Sequence, residues 1–296
     1  MSVSAAQVKE LREATGAPMM DCKKALEATA GDFERAIEEL RKTGAAKAVK
    51  KANRVASDGI IVIRVSADGK RGVIIEVNCE TDFVARDQNF LSFVNALADT
   101  ALASHAANLD QLNQLTLLSQ SISIEEARQT LVAKVGENVH IRRMVVIDNP
   151  NFLGAYLHGS RIGTLVSLEG GDQALAKDIA MHIAASKPLV VKPEEVSADI
   201  IAKEKEIYMA QAASSGKSQD IIEKMVNGRL KKYLDEVSLV GQPFIKEPDM
   251  TVQSLLNKHR AKVLSFTRYE VGEGIEKEKE DFVEAVRSQI QEQSGG

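Results

Sequence analysis

A pattern of strand, turn, strand and helix occurs twice in this chain and limits the fold more than any other feature. In the first copy, Gly59-Ile60-Ile61-Val62-Ile63-Arg64-Val65 and Val73-Ile74-Ile75-Glu76-Val77-Asn78-Cys79 flank the turn Ala67-Asp68-Gly69-Lys70-Arg71-Gly72. β-Branched arms around a glycine-containing turn predict a β-hairpin. A helix follows, with Phe90, Phe93, Val94, Leu97, Ala98 and Ala101 on its apolar side. In the second copy, Gly154-Ala155-Tyr156-Leu157-His158, the turn Gly159-Ser160-Arg161-Ile162-Gly163, the strand Thr164-Leu165-Val166-Ser167-Leu168 and a helix repeat that order. Aligning 94–104 with 176–186 sets Ala98 on Ala180, Ala101 on Ile183 and Ser104 on Ser186. Two strands are too few for a stable sheet, so the copies are expected to pack as halves of one core. A further strand, 139–147, precedes the second copy.

Helical segments flank and interrupt this duplicated core, so the fold class is α+β. Residues 1–54 read as a three-helix module and a linker helix. Ser4-Ala5-Ala6-Gln7 has a capping-box spacing, Gly16-Ala17-Pro18 stops the first helix, Asp21 is placed to cap the second, and Gly31-Asp32 opens the third. From Gly44 to Arg54 the chain is rich in Ala and Lys and poor in large apolar residues, which reads as an exposed linker. Residues 194–240 carry apolar residues at helical spacing on two limbs separated by Ser214-Ser215-Gly216-Lys217-Ser218, an inserted antiparallel helical hairpin of the kind that projects and pairs. The expected division is 1–54, a first core half 55–148, a second core half 149–193 with 241–268, the hairpin 194–240, and a C-terminal module 269–296 with a charged helix from Lys277. The second half includes a short helix at 252–257 and a strand at 261–269.

Charge and composition argue against several classes. A net charge of -4 leaves no global positive field for nucleic acid. Cys22 and Cys79 lie far apart without metal or disulfide spacing, and no apolar run approaches membrane-spanning length, so a reducing cytoplasmic setting is expected. Gly216-Lys217-Ser218 lacks the earlier glycine of a phosphate-binding loop, since Gln211 stands there, and Gly272-Glu273-Gly274 meets Lys277 where a dinucleotide fingerprint needs glycine. His105, His140, His158, His182 and His259 are scattered and read singly as surface or capping residues. No catalytic residue, metal ligand or cofactor is assigned, and an enzyme is not expected.

Three segments carry a specific likeness. They are Thr15-Gly16-Ala17-Pro18-Met19-Met20-Asp21-Cys22-Lys23-Lys24-Ala25-Leu26, Val77-Asn78-Cys79-Glu80-Thr81-Asp82-Phe83-Val84-Ala85-Arg86, and His158-Gly159-Ser160-Arg161-Ile162-Gly163. With the ending Arg268-Tyr269-Glu270-Val271-Gly272-Glu273-Gly274-Ile275, the chain resembles the bacterial elongation factor Ts family along nearly its whole length. Pro18 stands where that family commonly has glycine, Arg86 where it often has lysine, and 105–125 reads as a surface insertion.

The resemblance implies a guanine nucleotide exchange factor in translation elongation that releases GDP from the GTPase elongation factor Tu. It implies a ubiquitin-associated-like N-terminal module that docks on the partner through Met19, Met20 and, from the core, His158. It also implies that Thr81, Asp82, Phe83 and Val84 enter the partner near its Mg²⁺ site, and that the hairpin can mediate a homodimer or a 2:2 assembly. No membrane and no direct nucleic-acid binding are expected.

Read alone, Phe83 after an apolar strand is a core residue. Its polar neighbours Glu80, Thr81, Asp82 and Arg86 suit a protruding loop. Of Met19 and Met20, one is expected in the small N-terminal core and the other free for a partner groove. Burying a phenylalanine contributes at most about 3 kcal/mol, whereas a ~1000-fold acceleration of release requires ~4 kcal/mol of differential stabilisation. Several sites must therefore share the work. The rival readings are a nucleic-acid adaptor using Lys47 to Arg54 and a small hydrolase or transferase.

Overall fold

Local caps set the first elements of the computed structural model, which describes residues 3–104, 106–118, 120–148, 151–213 and 218–276. Helix α1 (Ala5–Thr15) opens on the Ser4/Gln7 capping box and closes on Gly16 at φ 68°, a left-handed conformation that glycine adopts without penalty. Helix α2 (Met19–Ala28) starts from Pro18, with no side-chain cap. Asp21 thus lies in its first turn rather than capping it, and binds Lys47 at 2.5 Å. Asp32 caps α3 (Phe33–Lys51), which continues without a break to its lysine-rich end. Val8, Leu11, Cys22, Ala25, Leu26 and Ala36 form the module's own small core.

Strands β1 (Asp58–Val65) and β2 (Arg71–Cys79) form the first hairpin, followed by the one-turn helix α4 (Asp82–Ala85) and by α5 (Gln88–Ala103). Helices α6 (Leu109–Asn113) and α7 (Ile124–Val135) lead into β3 (Val139–Asp148). The second copy comprises β4 (Phe152–His158), β5 (Ile162–Glu169) and α8 (Gln173–Ser186). Helices α9 (Ala198–Ala213) and α10 (Gln219–Val237) then lie antiparallel; the expected turn at 214–217 and the helix expected from Lys277 fall outside the described residues. A short ribbon, β6 (Pro243–Phe244) with β7 (Glu247–Thr251), precedes α11 (Val252–Lys258) and β8 (Lys262–Glu270).

Each hairpin recruits a distant third strand, giving antiparallel sheets ordered β1-β2-β3 and β4-β5-β8. The third strands carry bulges at corresponding places, Arg142 of β3 opposite the Glu76–Val77 step of β2 and Leu264 of β8 opposite the Ser167–Leu168 step of β5. Alternate residues explain why these strands are apolar on both faces. Ile60, Val62, Val73, Ile75 and Val77 pack under α5 and α7, while Ile61, Ile63 and Ile74 meet Leu153, Leu165 and Tyr269 of the other sheet and Val271 just after it. The second sheet turns Val166, Leu168 and Val263 toward α8 and α11. The halves therefore do not share one core. Each sheet has its own helix-covered core, and a third cluster joins the sheets. Gly163 permits that approach, since a Cβ there would lie 2.4 Å from Ile61 Cγ2.

Two segments read as exposed are structural. Gly44 and Ala48 are buried, and a Cβ on Gly44 would lie 3.5 Å from that of Ala133 on α7. Small residues make this face by letting two helices approach closely, so no large apolar stripe is required. The 105–125 segment is likewise no surface insertion: Ala106, Leu112, Leu117 and Ile124 are buried in the first core. The backbone bonds Leu117 N to Ile122 O (3.0 Å) and Ile124 N to Leu115 O (2.9 Å) fold it back on itself.

His182 is also not a surface residue. It is fully buried, with Nε2 3.0 Å from Gln242 Oε1 and Nδ1 accepting from the Ile245 amide at 3.2 Å. Burial holds its pKa below the usual histidine value. His105 lies outside the described residues.

Candidate functional site

The two copies differ most where strand passes to helix. In the second, residues 170–172 connect β5 to α8 through Gly170 and Gly171, both at φ 74°. In the first, residues 80–87 connect β2 to α5 and enclose α4. The shorter connection suffices for the fold, so the longer one carries something the fold does not require.

Its anchors are specific. Thr81 caps α4, its hydroxyl accepting from the Val84 amide at 3.4 Å. The same hydroxyl donates to Glu137 Oε1 at 2.7 Å, and the Thr81 amide donates to Glu137 Oε2 at 3.0 Å. Glu80 accepts from the Asn138 amide at 2.6 Å and lies 3.5 Å from Arg54. The Asn138 side chain donates to the carbonyls of Ala52 and Arg54, at 3.3 and 2.9 Å, so the end of α3 joins the same knot. Val84 and Ala85 are buried in the first core.

Between these anchors Phe83 stands 81% exposed. Asp82 beside it is half-exposed and pairs with Arg86 at 2.9 Å. Of the four expected partner-facing residues, Phe83 and Asp82 lie outward, Thr81 is half-buried, and Val84 is turned inward as an anchor.

Cys79 belongs to this arrangement, its thiol donating to the Thr81 carbonyl at 3.2 Å. Burial, and then the carboxylates of Glu137 and Asp58, push its pKa up to about 12. Burial also raises that of Cys22. Thiolate is the reactive form, so neither cysteine of the native chain should react with Ellman's reagent at neutral pH, whereas both should titrate in denaturant. Rapid native labelling of either would contradict this placement.

The other expected contact residues connect to this knot. Met19 and Met20 are 46% and 60% exposed, so neither fills the N-terminal core as expected for one of them. Cys22, one turn further on, takes that inward place. The α1–α2 corner abuts α7, where Lys134 lies against Gly16, and Glu137 follows directly after that helix. His158 is exposed at the end of β4, its Nδ1 3.3 Å from the Tyr156 hydroxyl. The turn after it is fixed to the first sheet, with Ile61 N donating to Ser160 O (2.8 Å) and Arg161 reaching Asp58 (3.0 Å). Asp58 pairs with Cys79, so the His158 turn and the 80–87 connection share one end of the stacked sheets.

Glu137 and Asn138 escaped the sequence reading, and Glu80 entered it only as a polar neighbour of Phe83. The Ser123-x-x-Glu126 capping box would have revealed α7, and Gly136 its end, placing Glu137 and Asn138 between helix and strand. Among the described residues, no group of three or more His, Cys, Asp or Glu is arranged to hold a metal ion. No described helix is long and apolar enough to cross a membrane.

Comparison with known proteins places nearly the whole chain beside one family. The family model described as Elongation factor TS matches residues 80–273. A protein named Elongation factor Ts from Legionella pneumophila subsp. pneumophila is 56% identical over 289 residues, covering 98% of this chain and 99% of its own. Those of Thioalkalivibrio sulfidiphilus and Methylococcus capsulatus are 55% and 52% identical over 291 residues, again with 98% and 99% coverage.

Proposed function

Because the chain belongs to the elongation factor Ts family, we propose that it acts as that family does, as a nucleotide exchange factor for elongation factor Tu, and that Phe83 is its wedge. The factor binds the GDP-bound GTPase, inserts Phe83 and Asp82 beside the Mg²⁺ and phosphate site, and weakens the hold on GDP so that GTP can enter. It makes and breaks no covalent bond.

One observation carries the reading. A large apolar side chain is 81% exposed on a one-turn helix whose neighbours are fixed by hydrogen bonds and burial. A phenylalanine left in water forgoes up to about 3 kcal/mol of burial, which a partner groove can supply. Met19, Met20 and His158 supply further contacts, as the energetic shortfall of one wedge requires. The partner-binding sites are coupled reciprocally: whatever GDP loses in affinity through the factor, the factor loses through GDP.

The direct test mixes the purified chain with the GDP-bound GTPase. A complex should co-elute in gel filtration, dissociate on excess GDP, and accelerate release of fluorescent GDP in stopped flow. Absence of acceleration at saturating factor removes the proposal.

Docking should separate from exchange. Removing 1–54 would strip Ala48 from the first core and the carbonyl partners from Asn138, so paired Met19→Ala and Met20→Ala substitutions are the cleaner probe. They should weaken association by about 10-fold or more while leaving the maximal release rate near wild type. Unchanged affinity by titration would end the docking role.

The α9–α10 hairpin leaves Ile200, Ile207 and Ile221 exposed, which supports pairing with a second copy. The adaptor reading finds less support, because Lys47 is held by Asp21, Lys51 by the Gly136 carbonyl and Arg54 by Glu80.

A further inference from the structure

We infer that Glu137 is a positioning residue for nucleotide exchange, holding the Phe83-bearing turn in its projecting geometry by gripping Thr81 with both carboxylate oxygens. The inference deepens the wedge reading and rests on it. Thr81 is the only residue between the end of the Glu80 anchor and the start of α4, so its orientation sets the direction in which that helix leaves the sheet. A single hydrogen bond would leave Thr81 free to rotate about it. Here the amide and the hydroxyl meet different oxygens of one carboxylate, at 3.0 and 2.7 Å, and bonds to an ionised acceptor are the stronger kind. The hydroxyl's own acceptance from Val84 N then passes that orientation to the helix.

Glu137 is itself fixed from behind. It follows Gly136, the left-handed cap of α7, and precedes Asn138, which is tied to Glu80 and to the end of α3. The grip thus refers the wedge to α7 and to the end of α3, and α3 packs against α2, which carries Met19 and Met20. An interaction that serves a partner only when correctly aimed loses rate steeply with small misplacement. Loss of Glu137 should therefore act on the exchange step more than on association.

The test measures fluorescent GDP release from the GTPase over a range of factor concentrations, separating the maximal rate from the half-saturating concentration. Glu137→Ala should lower the maximal rate about 10-fold or more, with half-saturation and thermal unfolding close to wild type. Glu137→Gln, whose amide can accept from the Thr81 amide and donate to its hydroxyl, should restore most of the rate. Thr81→Val, which keeps the amide but removes the hydroxyl, should lower the rate by itself and reduce the further effect of Glu137→Ala. Should Glu137→Ala misfold, Thr81→Val and Glu137→Gln still decide the matter through the rate and through hydrogen exchange at the Val84 amide. Wild-type maximal rates in Glu137→Ala or Thr81→Val, with Phe83→Ala strongly slowed, overturn the positioning role and leave the wedge standing. Wild-type rates in Phe83→Ala remove the wedge itself.

Discussion

Phe83→Ala should slow the maximal release of GDP from elongation factor Tu by up to about 100-fold while leaving the factor's own stability unchanged. The ceiling follows from burial: at most about 3 kcal/mol for a phenylalanine moved from water into an apolar groove, at roughly 1.4 kcal/mol per tenfold in rate. The unchanged stability follows from its 81% exposure, since a side chain that touches little in the free chain leaves no cavity when truncated. Asp82→Ala should have a smaller effect in the same direction, its present partner being the exposed Arg86. Thermal unfolding of each variant, beside stopped-flow release at saturating factor, separates the readings. Unchanged release in both variants would remove the wedge; a large loss of stability in Phe83→Ala would mean the side chain is buried in solution.

Whatever acceleration survives in Phe83→Ala belongs to the other contacts. If Met19, Met20 and the His158 turn merely tethered the factor, they would set the half-saturating concentration alone. If they also favour the nucleotide-free partner, residual acceleration persists at saturation, because only a differential affinity shifts the equilibrium.

Much of this arrangement was legible in the sequence where the signal is local. The first hairpin follows from β-branched runs around a turn, the second from recurrence of the same element order, and α1 from Ser4 and Gln7. What escaped depends on distant partners. Gly44 and Ala48 look like linker residues until α7 lies across them, because a helix interface made of small side chains has no apolar stripe. Leu112, Leu117 and Ile124 sit in a segment whose polar neighbours suggest a surface loop, and only the space beside α5 and α7 makes them core. The Phe83 segment was legible through family resemblance, against the general tendency of phenylalanine to be buried. Its Glu137 clamp was not, since nothing near Thr81 in the sequence announces a partner beyond a helix and a loop.

Glu76→Gln should be among the most destabilising single substitutions in the core, by about 3 kcal/mol. Glu76 is fully buried on the face of β2 that meets the second sheet. Its carboxylate accepts from Arg142 at 3.0 Å, Arg143 at 2.5 Å, the Asn78 side chain at 3.1 Å and the Gly272 amide at 2.8 Å. Arg142 and Arg143 in turn reach the carbonyls of Glu273 and Glu270, and Arg143 lies over the Tyr269 ring, so the charge binds the end of β8 to the first sheet. Glutamine fills the same space but offers one acceptor oxygen, leaving Arg142 short of its counter-charge and Arg143 with the Glu273 carboxylate at 3.5 Å. Both arginine side chains are partly exposed, which places the effect at the lower end for a broken buried pair. Burial alone would raise the carboxyl pKa, but the Gly272 amide, Asn78, Arg143 and Arg142 outweigh it and hold the pKa below the ordinary value of 4.5. A carboxyl depressed by folding contributes stability that is present above that ordinary value and lost as pH falls through the folded pKa. Other carboxylates are depressed as well, Glu273 and Glu125 among them, so the wild-type acid slope is shared. The difference between wild type and Glu76→Gln isolates one group: urea midpoints should lie furthest apart near neutrality and converge as pH drops below about 4.5. A constant gap across that range, or none at pH 7, would mean that the paired charge is not what joins the sheets.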